Sequence, residues 1–201
     1  MITQIDPKTA LILIDLQKGI VNLPLVNPVT EVLEKSAKLI AAFRSKKLPI
    51  VIVRVDPLGA KWTQARVDEP SAPKDEDGII QAKALMESAG FFDITPEIEV
   101  RPDDIFITKT TWGAFYQTTL HAELANNNVT GIVMAGIATS IGVEGTARQA
   151  SELGYNISFA TDAMTDMHLS AHEHSIGRIF PRIGEVGTAD EIISKVQALQ
   201  L

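Results

Sequence analysis

The chain has 201 residues, 45% of them hydrophobic and 21% charged, which suits one α/β domain with a substantial core. Its formal net charge of −7 argues against nucleic acid or an anionic membrane as the main partner, because both attract basic surface. It contains no cysteine, which excludes disulfides, cysteine-ligated metals and any thiol nucleophile.

Met1 to Ala10 carries Asp6, Pro7 and Lys8 and no signal-peptide core, and no apolar run approaches a membrane span, so the cytoplasm is the expected location. Thr9 to Leu16 is a near-continuous apolar run that reads as a central parallel strand. Asp15 then lies at its carboxyl end, where such sheets expose functional groups; the plainer alternative is a turn cap. Gly19, Pro24 and Pro28 break Gln17 to Pro28 into a loop. Thr30 to Lys47 reads as a helix with Thr30 as N-cap, and Ile50 to Val55 as the second strand. The stretch 56–78 is a long irregular excursion, in which Trp62 and Arg66 are candidates to touch a ligand or a second subunit, or simply belong to a surface loop.

Ala82 to Gly90 is expected to form a short helix, Ile105 to Thr108 a third strand followed directly by Lys109, and Ala114 to Asn126 a helix. Val129 to Ala135 is an apolar, β-branched run of strand length that Gly136 ends. Ile137 to Ile141 makes a polar elbow, and Gly142 to Leu153 a helix. Tyr155 to Ala160 is a further strand ending near Asp162, Ser170 to Phe180 a helix stopped by Pro181, and Thr188 to Gln197 a last helix capped by Thr188. This alternation predicts a single domain over 1–201: a three-layer α-β-α sandwich around a mostly parallel sheet.

Neither a dinucleotide fingerprint nor a phosphate loop follows any strand. His168 and His172 sit four apart, but zinc needs further ligands and no histidine stands near Asp56; solvated or intersubunit histidines are the better reading, with no metal and no cofactor expected. The constellation that stands out is Asp15, Lys109 and the elbow from Gly136 to Gly142. Three elements of one parallel sheet bring an acid, an ammonium group and a row of amides to one edge, a site able to hold a carboxylate or an oxyanion.

At these residues the chain resembles the isochorismatase-like hydrolase superfamily, also called the cysteine hydrolases, over nearly its whole length. The matching pieces are Asp15-Leu16-Gln17 after an apolar strand, Lys109 with Gly113-Ala114-Phe115, and Gly136-x-x-Thr139. Val143-x-x-Thr146-Ala147-Arg148-x-Ala150, Gly154-Tyr155 and Asp162-Ala163 complete the set in the family's order and spacing. The resemblance implies a Rossmann-like sheet, a small-molecule substrate and a homo-oligomer, with Ile176 to Ile183 and the Trp62 loop as candidate contacts. It places the family's nucleophilic cysteine at Gly142, its proton-accepting aspartate at Asp15 and its lysine at Lys109, and implies a cis peptide at Ala138-Thr139.

With glycine at 142, thiol-based amidase chemistry is not expected, and Ser140 is a weak substitute without a histidine base beside it. The family's true isochorismatases resemble this chain in having glycine there; they hydrolyse a vinyl ether with the aspartate as general acid. The chain departs from them in carrying Ala138-Thr139-Ser140 where they usually carry Ala-His before the glycine. The expected site is therefore Asp15 as acid/base, Lys109 as electrostatic partner, and the amides of Ala138, Thr139, Ser140, Ile141, Gly142 and Val143 on substrate oxygens. Gln17, Trp112 and Phe115 are candidate pocket walls, with core packing the alternative for Trp112 and Phe115. Lys109 beside Asp15 is expected to favour the carboxylate, and a bound substrate carboxylate to raise its pKa. A competing reading is a silent member that binds a small carboxylate or serves as an assembly subunit.

Overall fold

The computed structural model describes residues 1–58, 73 and 75–200; Trp62 and Arg66 lie outside them. Six strands form one sheet: β1 (Thr9–Ile14), β2 (Ile50–Val55), β3 (Ile105–Lys109), β4 (Gly131–Ile137), β5 (Asn156–Thr165) and β6 (Glu185–Gly187). Their order is β3-β2-β1-β4-β5-β6, and every neighbouring pair is parallel. Every residue of β1 and β4 is buried, because helices cover both faces of the sheet at its centre.

Side chains alternate across the strands, so each face has its own core. Leu11, Leu13, Ile50, Ile52, Val133 and Ala135 pack towards α2 (Val29–Ser45) and α8 (Ala189–Gln197) through Leu39, Phe43, Ile192 and Val196. Ala10, Ile12, Ile14, Val51, Val53 and Met134 pack on the opposite face. There they meet Leu120 and Leu124 of α4 (Leu120–Asn126), Ala147 and Ala150 of α5 (Glu144–Glu152), and Phe180 of α7 (Phe180–Ile183). Among the described residues no helix is long and apolar enough to cross a membrane.

Several elements differ from the sequence reading for local reasons, and the stretch Gln17 to Pro28, expected as a loop, contains a one-turn helix, α1 (Lys18–Val21). The helix expected from Thr30 starts at Val29 with Pro28 at the N-cap position, so Thr30 sits in its first turn and caps nothing. The short helix expected at 82–90 is α3 (Glu76–Ser88), begun earlier by Asp75, whose side chain accepts from the Gly78 N–H at 2.7 Å. The helix expected from Ala114 forms only from Leu120, because Gln117 adopts a left-handed φ of 53° and interrupts the run. Trp112 and Phe115 therefore lie on the β3–α4 connection.

Gly136 does not end β4; it stays within the strand at φ 122°. β5 runs on to Thr165, with its register against β4 shifting between Met134 and Gly136, so Asp162 lies inside it. Pro181 does not stop the helix after β5 either. α6 (Leu169–His174) passes through one wide turn (Ser175–Ile179) into α7, where Pro181 occupies the first turn and no N–H is needed. β6 has three residues, too few to read from periodicity. Thr188 does cap α8, in a reciprocal box with Glu191.

Candidate active site

The strand order reverses direction of growth between β1 and β4, and in open α/β sheets the crevice beyond the carboxyl ends at that point is where ligands bind. Asp15 follows β1 in a left-handed conformation, φ 52°, which aspartate tolerates better than most residues. Its N–H donates to Val53 O at 2.9 Å, which holds it against β2. Lys109 is the last residue of β3, and its Nζ donates to Asp15 Oδ2 at 2.7 Å and to Thr111 O at 3.2 Å. Both side chains are buried, at 6% and 2% exposure, and among the described residues Asp15 Oδ1 has no hydrogen-bond partner.

That environment decides the acidity of Asp15. Burial raises its pKa from 3.8 to about 6, while the charge and hydrogen bond of Lys109 pull it down. Lys109 thus acts in the expected direction, favouring the carboxylate, but desolvation is the larger influence. An aspartate whose pKa is higher folded than unfolded favours the fold fully below pH 3.8, and that contribution is lost as pH rises through about 6. The difference corresponds to about 3 kcal/mol. Urea denaturation at acid and neutral pH is expected to show wild type losing about that much more stability than Asp15→Asn across the interval; equal losses would contradict it.

The elbow after β4 is a single wide helical turn, Thr139–Val143, leading into α5. The cis peptide lies at Ile137-Ala138, one residue earlier than expected. Thr139 Oγ1 donates to Thr165 O at 3.0 Å and lies 2.8 Å from His172 Nδ1. The Ser140 N–H donates to Asp166 Oδ2 at 2.7 Å, and the Ile141 and Val143 N–H groups donate to Ala138 O. These three amides are engaged within the protein, which corrects the expectation that they meet substrate oxygens. Thr146 Oγ1 donates to Gly142 O at 2.7 Å and accepts from the Ala114 N–H at 3.0 Å, tying the elbow to the β3–α4 loop.

A cavity of about 200 Å³ opens over the Asp15–Lys109 pair. Of the expected residues, Asp15, Lys109, Trp112, Ala138, Ile141 and Gly142 line it. Gln17, Phe115, Thr139, Ser140 and Val143 do not. Gln17 is fully buried beneath the site: its Oε1 accepts from the Val55 N–H at 2.7 Å and its Nε2 donates to Val55 O and Phe91 O. Gln17→Ala is expected to cost about 1–3 kcal/mol in a denaturant titration, since it strands the N–H of half-buried Val55. Phe115 stacks on Tyr155 against the core, and Val143 is buried within it. Ile137, the first residue of the expected elbow, lines it too, as do Ile20, Leu23, Val55, Pro57, Thr110, Thr111 and Met167, which did not stand out in the sequence although Val55 and Thr110 stand at strand ends, where the topology directs attention. The histidines do not act as a pair. His168 is exposed before α6, while His172 is buried between Thr139 and Asn27, where burial pushes its pKa down, rather than being solvated.

Gly142 is not required by its backbone, whose φ is outside the left-handed region. Space is what it saves: a Cβ there would lie 2.8 Å from Ile14 Cγ2 and 3.1 Å from Asp15 Oδ2. Gly142→Ala is therefore expected to destabilise the protein by about 1–3 kcal/mol, read as a lower urea midpoint at unchanged slope.

Comparison with known proteins agrees with this architecture. The isochorismatase domain family matches residues 9–191. The chain is 39% identical over 193 residues to the isochorismatase family protein YwoC of Bacillus subtilis, covering 94% of this chain and 95% of that protein. It is 38% identical over 189 residues to the isochorismatase family protein YecD of Escherichia coli O157:H7, covering 92% and 95%. An isochorismatase family protein from Burkholderia thailandensis superposes with a TM-score of 0.85 at 35% identity, covering 98% of this chain and all of that one. At 27% identity over 170 residues, covering 78% of this chain and 66% of the relative, the chain is also similar to the ureidoacrylate amidohydrolase RutB of Variovorax paradoxus. With a parallel six-stranded sheet, a site at its switch point and matches across nearly its whole length, the chain belongs to the isochorismatase family of the isochorismatase-like hydrolases.

Proposed function

We propose that this protein is a hydrolase that works without a covalent nucleophile, acting on a small vinyl ether such as isochorismate, with Asp15 as general acid and Lys109 as its electrostatic partner. The observation that carries this reading is the state of Asp15: buried, one oxygen unpartnered, and titrating near 6, within reach of neutral pH. A thiol route is closed, because the chain has no cysteine. Gly142 takes the place of the family's nucleophile and lines the cavity beside Asp15 and Lys109.

In this mechanism Asp15 gives its proton to the terminal carbon of the enol ether, forming a C–H bond and an oxocarbenium ion. Lys109 stabilises the carboxylate left behind. Water adds to the cationic carbon and returns a proton to Asp15, and the resulting hemiketal breaks its C–O bond to release a ketone and an alcohol. For isochorismate the ketone is pyruvate. The test is pyruvate release from isochorismate by the purified protein, with Asp15→Asn in parallel. Release that disappears in the variant supports the reading. No release overturns the isochorismate assignment and favours a silent carboxylate-binding member, and equal release by the variant removes Asp15 from the acid role.

A further inference from the structure

Among the described residues, two polar groups that line the cavity lack a full set of partners. An ammonium group has three donors; those of Lys109 reach Asp15 Oδ2 and Thr111 O, which leaves one. Beside it, Asp15 Oδ1 is buried and has no hydrogen-bond partner among the described residues. Much of the remaining wall is hydrocarbon, from Ile20, Leu23, Val55, Trp112, Ile141 and Met167. A ligand therefore meets these two groups with a compact polar head and much of the rest with apolar surface.

The protonation state of Asp15 selects the head. With Asp15 ionised, the pair is neutral and asks for an acceptor at Lys109 and a donor at Oδ1, the pattern of a carboxamide. With Asp15 protonated, it asks for two acceptors and carries one positive charge, the pattern of a carboxylate. We propose that this cavity takes one carboxylate group of its ligand together with one proton, the proton residing on Asp15 Oδ1 and one oxygen of that carboxylate accepting from Lys109.

Three considerations favour this head over the amide. A buried carboxylate needs a compensating charge, and Lys109 is the only cation among the described lining residues. Burial has already moved Asp15 towards its protonated form, and an arriving anion pushes it the same way. Among the described residues no other carboxylate is positioned to do that work: Asp56, beyond β2, is tied to Lys83 and the Leu58 N–H, and Asp166, beyond β5, to the Ser140 and His168 N–H groups. From α6, His172 faces Thr139 and Asn27. The inference rests on the same site as the proposed hydrolysis and names the charge class of what enters it.

Benzoate and benzamide are matched probes, one ring with either head, and isothermal titration calorimetry reads both. Benzoate is expected to bind with uptake of close to one proton, seen as a heat that changes with buffer ionisation enthalpy. Its affinity is expected to fall about tenfold per pH unit above about pH 7. Benzamide is expected to bind more weakly at about pH 6 and without that dependence. In Asp15→Asn, where the amide N–H replaces the acid O–H, benzoate binding is expected to lose its pH dependence. Benzoate binding without proton uptake, no benzoate binding, or tighter binding of benzamide at about pH 6 would each overturn the inference. The outcome is separable from turnover: proton-linked binding with no pyruvate release sinks the hydrolytic mechanism alone, and pyruvate release with proton-free binding sinks this inference alone.

Discussion

Asp15→Asn is expected to lower the rate of vinyl ether hydrolysis by about 10²–10⁴-fold, the usual contribution of a positioned general acid. The amide keeps the shape of the side chain and can still meet Lys109 Nζ through its oxygen, so the loss is one of proton transfer rather than of architecture. The wild-type pH profile provides the second check. An acid must be protonated to act, and the Asp15 carboxyl titrates near 6, so kcat/KM in the free enzyme is expected to fall as pH rises through that value. Removing the ammonium group, as in Lys109→Met, takes away the influence that lowers the Asp15 pKa, so the same limb should move to higher pH. A profile that rises through pH 6 instead would assign Asp15 the role of base.

The largest expected effect on stability is at Gly136. A Cβ there would lie 2.1 Å from Ile14 O and 2.6 Å from Ile14 N, backbone atoms of the central strand that have nowhere to go. Its φ of 122° adds a conformation that side chains rarely adopt. Gly136→Ala is expected to cost more than about 4 kcal/mol, near the whole stability of a domain this size, and to appear as insoluble protein or a lost thermal transition. Gly154 is the control. Its φ is also left-handed, at 84°, but nothing lies within 4 Å of its Cβ position, so Gly154→Ala should cost only about 1–2 kcal/mol of backbone strain. Similar behaviour in the two variants would remove crowding against Ile14 as the cause.

What the sequence revealed of this molecule depended on how far each feature was local. β2 matched residue for residue and β1 nearly so, because strands buried on both faces read as unbroken apolar runs. The Thr188–Glu191 box lies within one turn and was visible for that reason. Gln117 was not: its left-handed backbone leaves no mark in a sequence that otherwise continues as a helix. Asp15 and Lys109 stood out because each closes an apolar strand, and the fold joins them at 2.7 Å. Their protonation was not legible, because it is set by burial that only the assembled cavity creates. Gln17 looked like a pocket wall for its position and proved to be a clamp between strands, a difference that depends on which way one side chain turns.

The position of β1 also bears on how the chain is made. Leu11 pairs with Ile50 on one side and with Val133 on the other, so its second neighbour is synthesised long after it leaves the ribosome. Until then a strand apolar on both faces has an open edge, the kind of segment that self-associates. Pairing with β2 covers one edge of Thr9–Ile14, and the other stays open until β4 arrives to close the sheet.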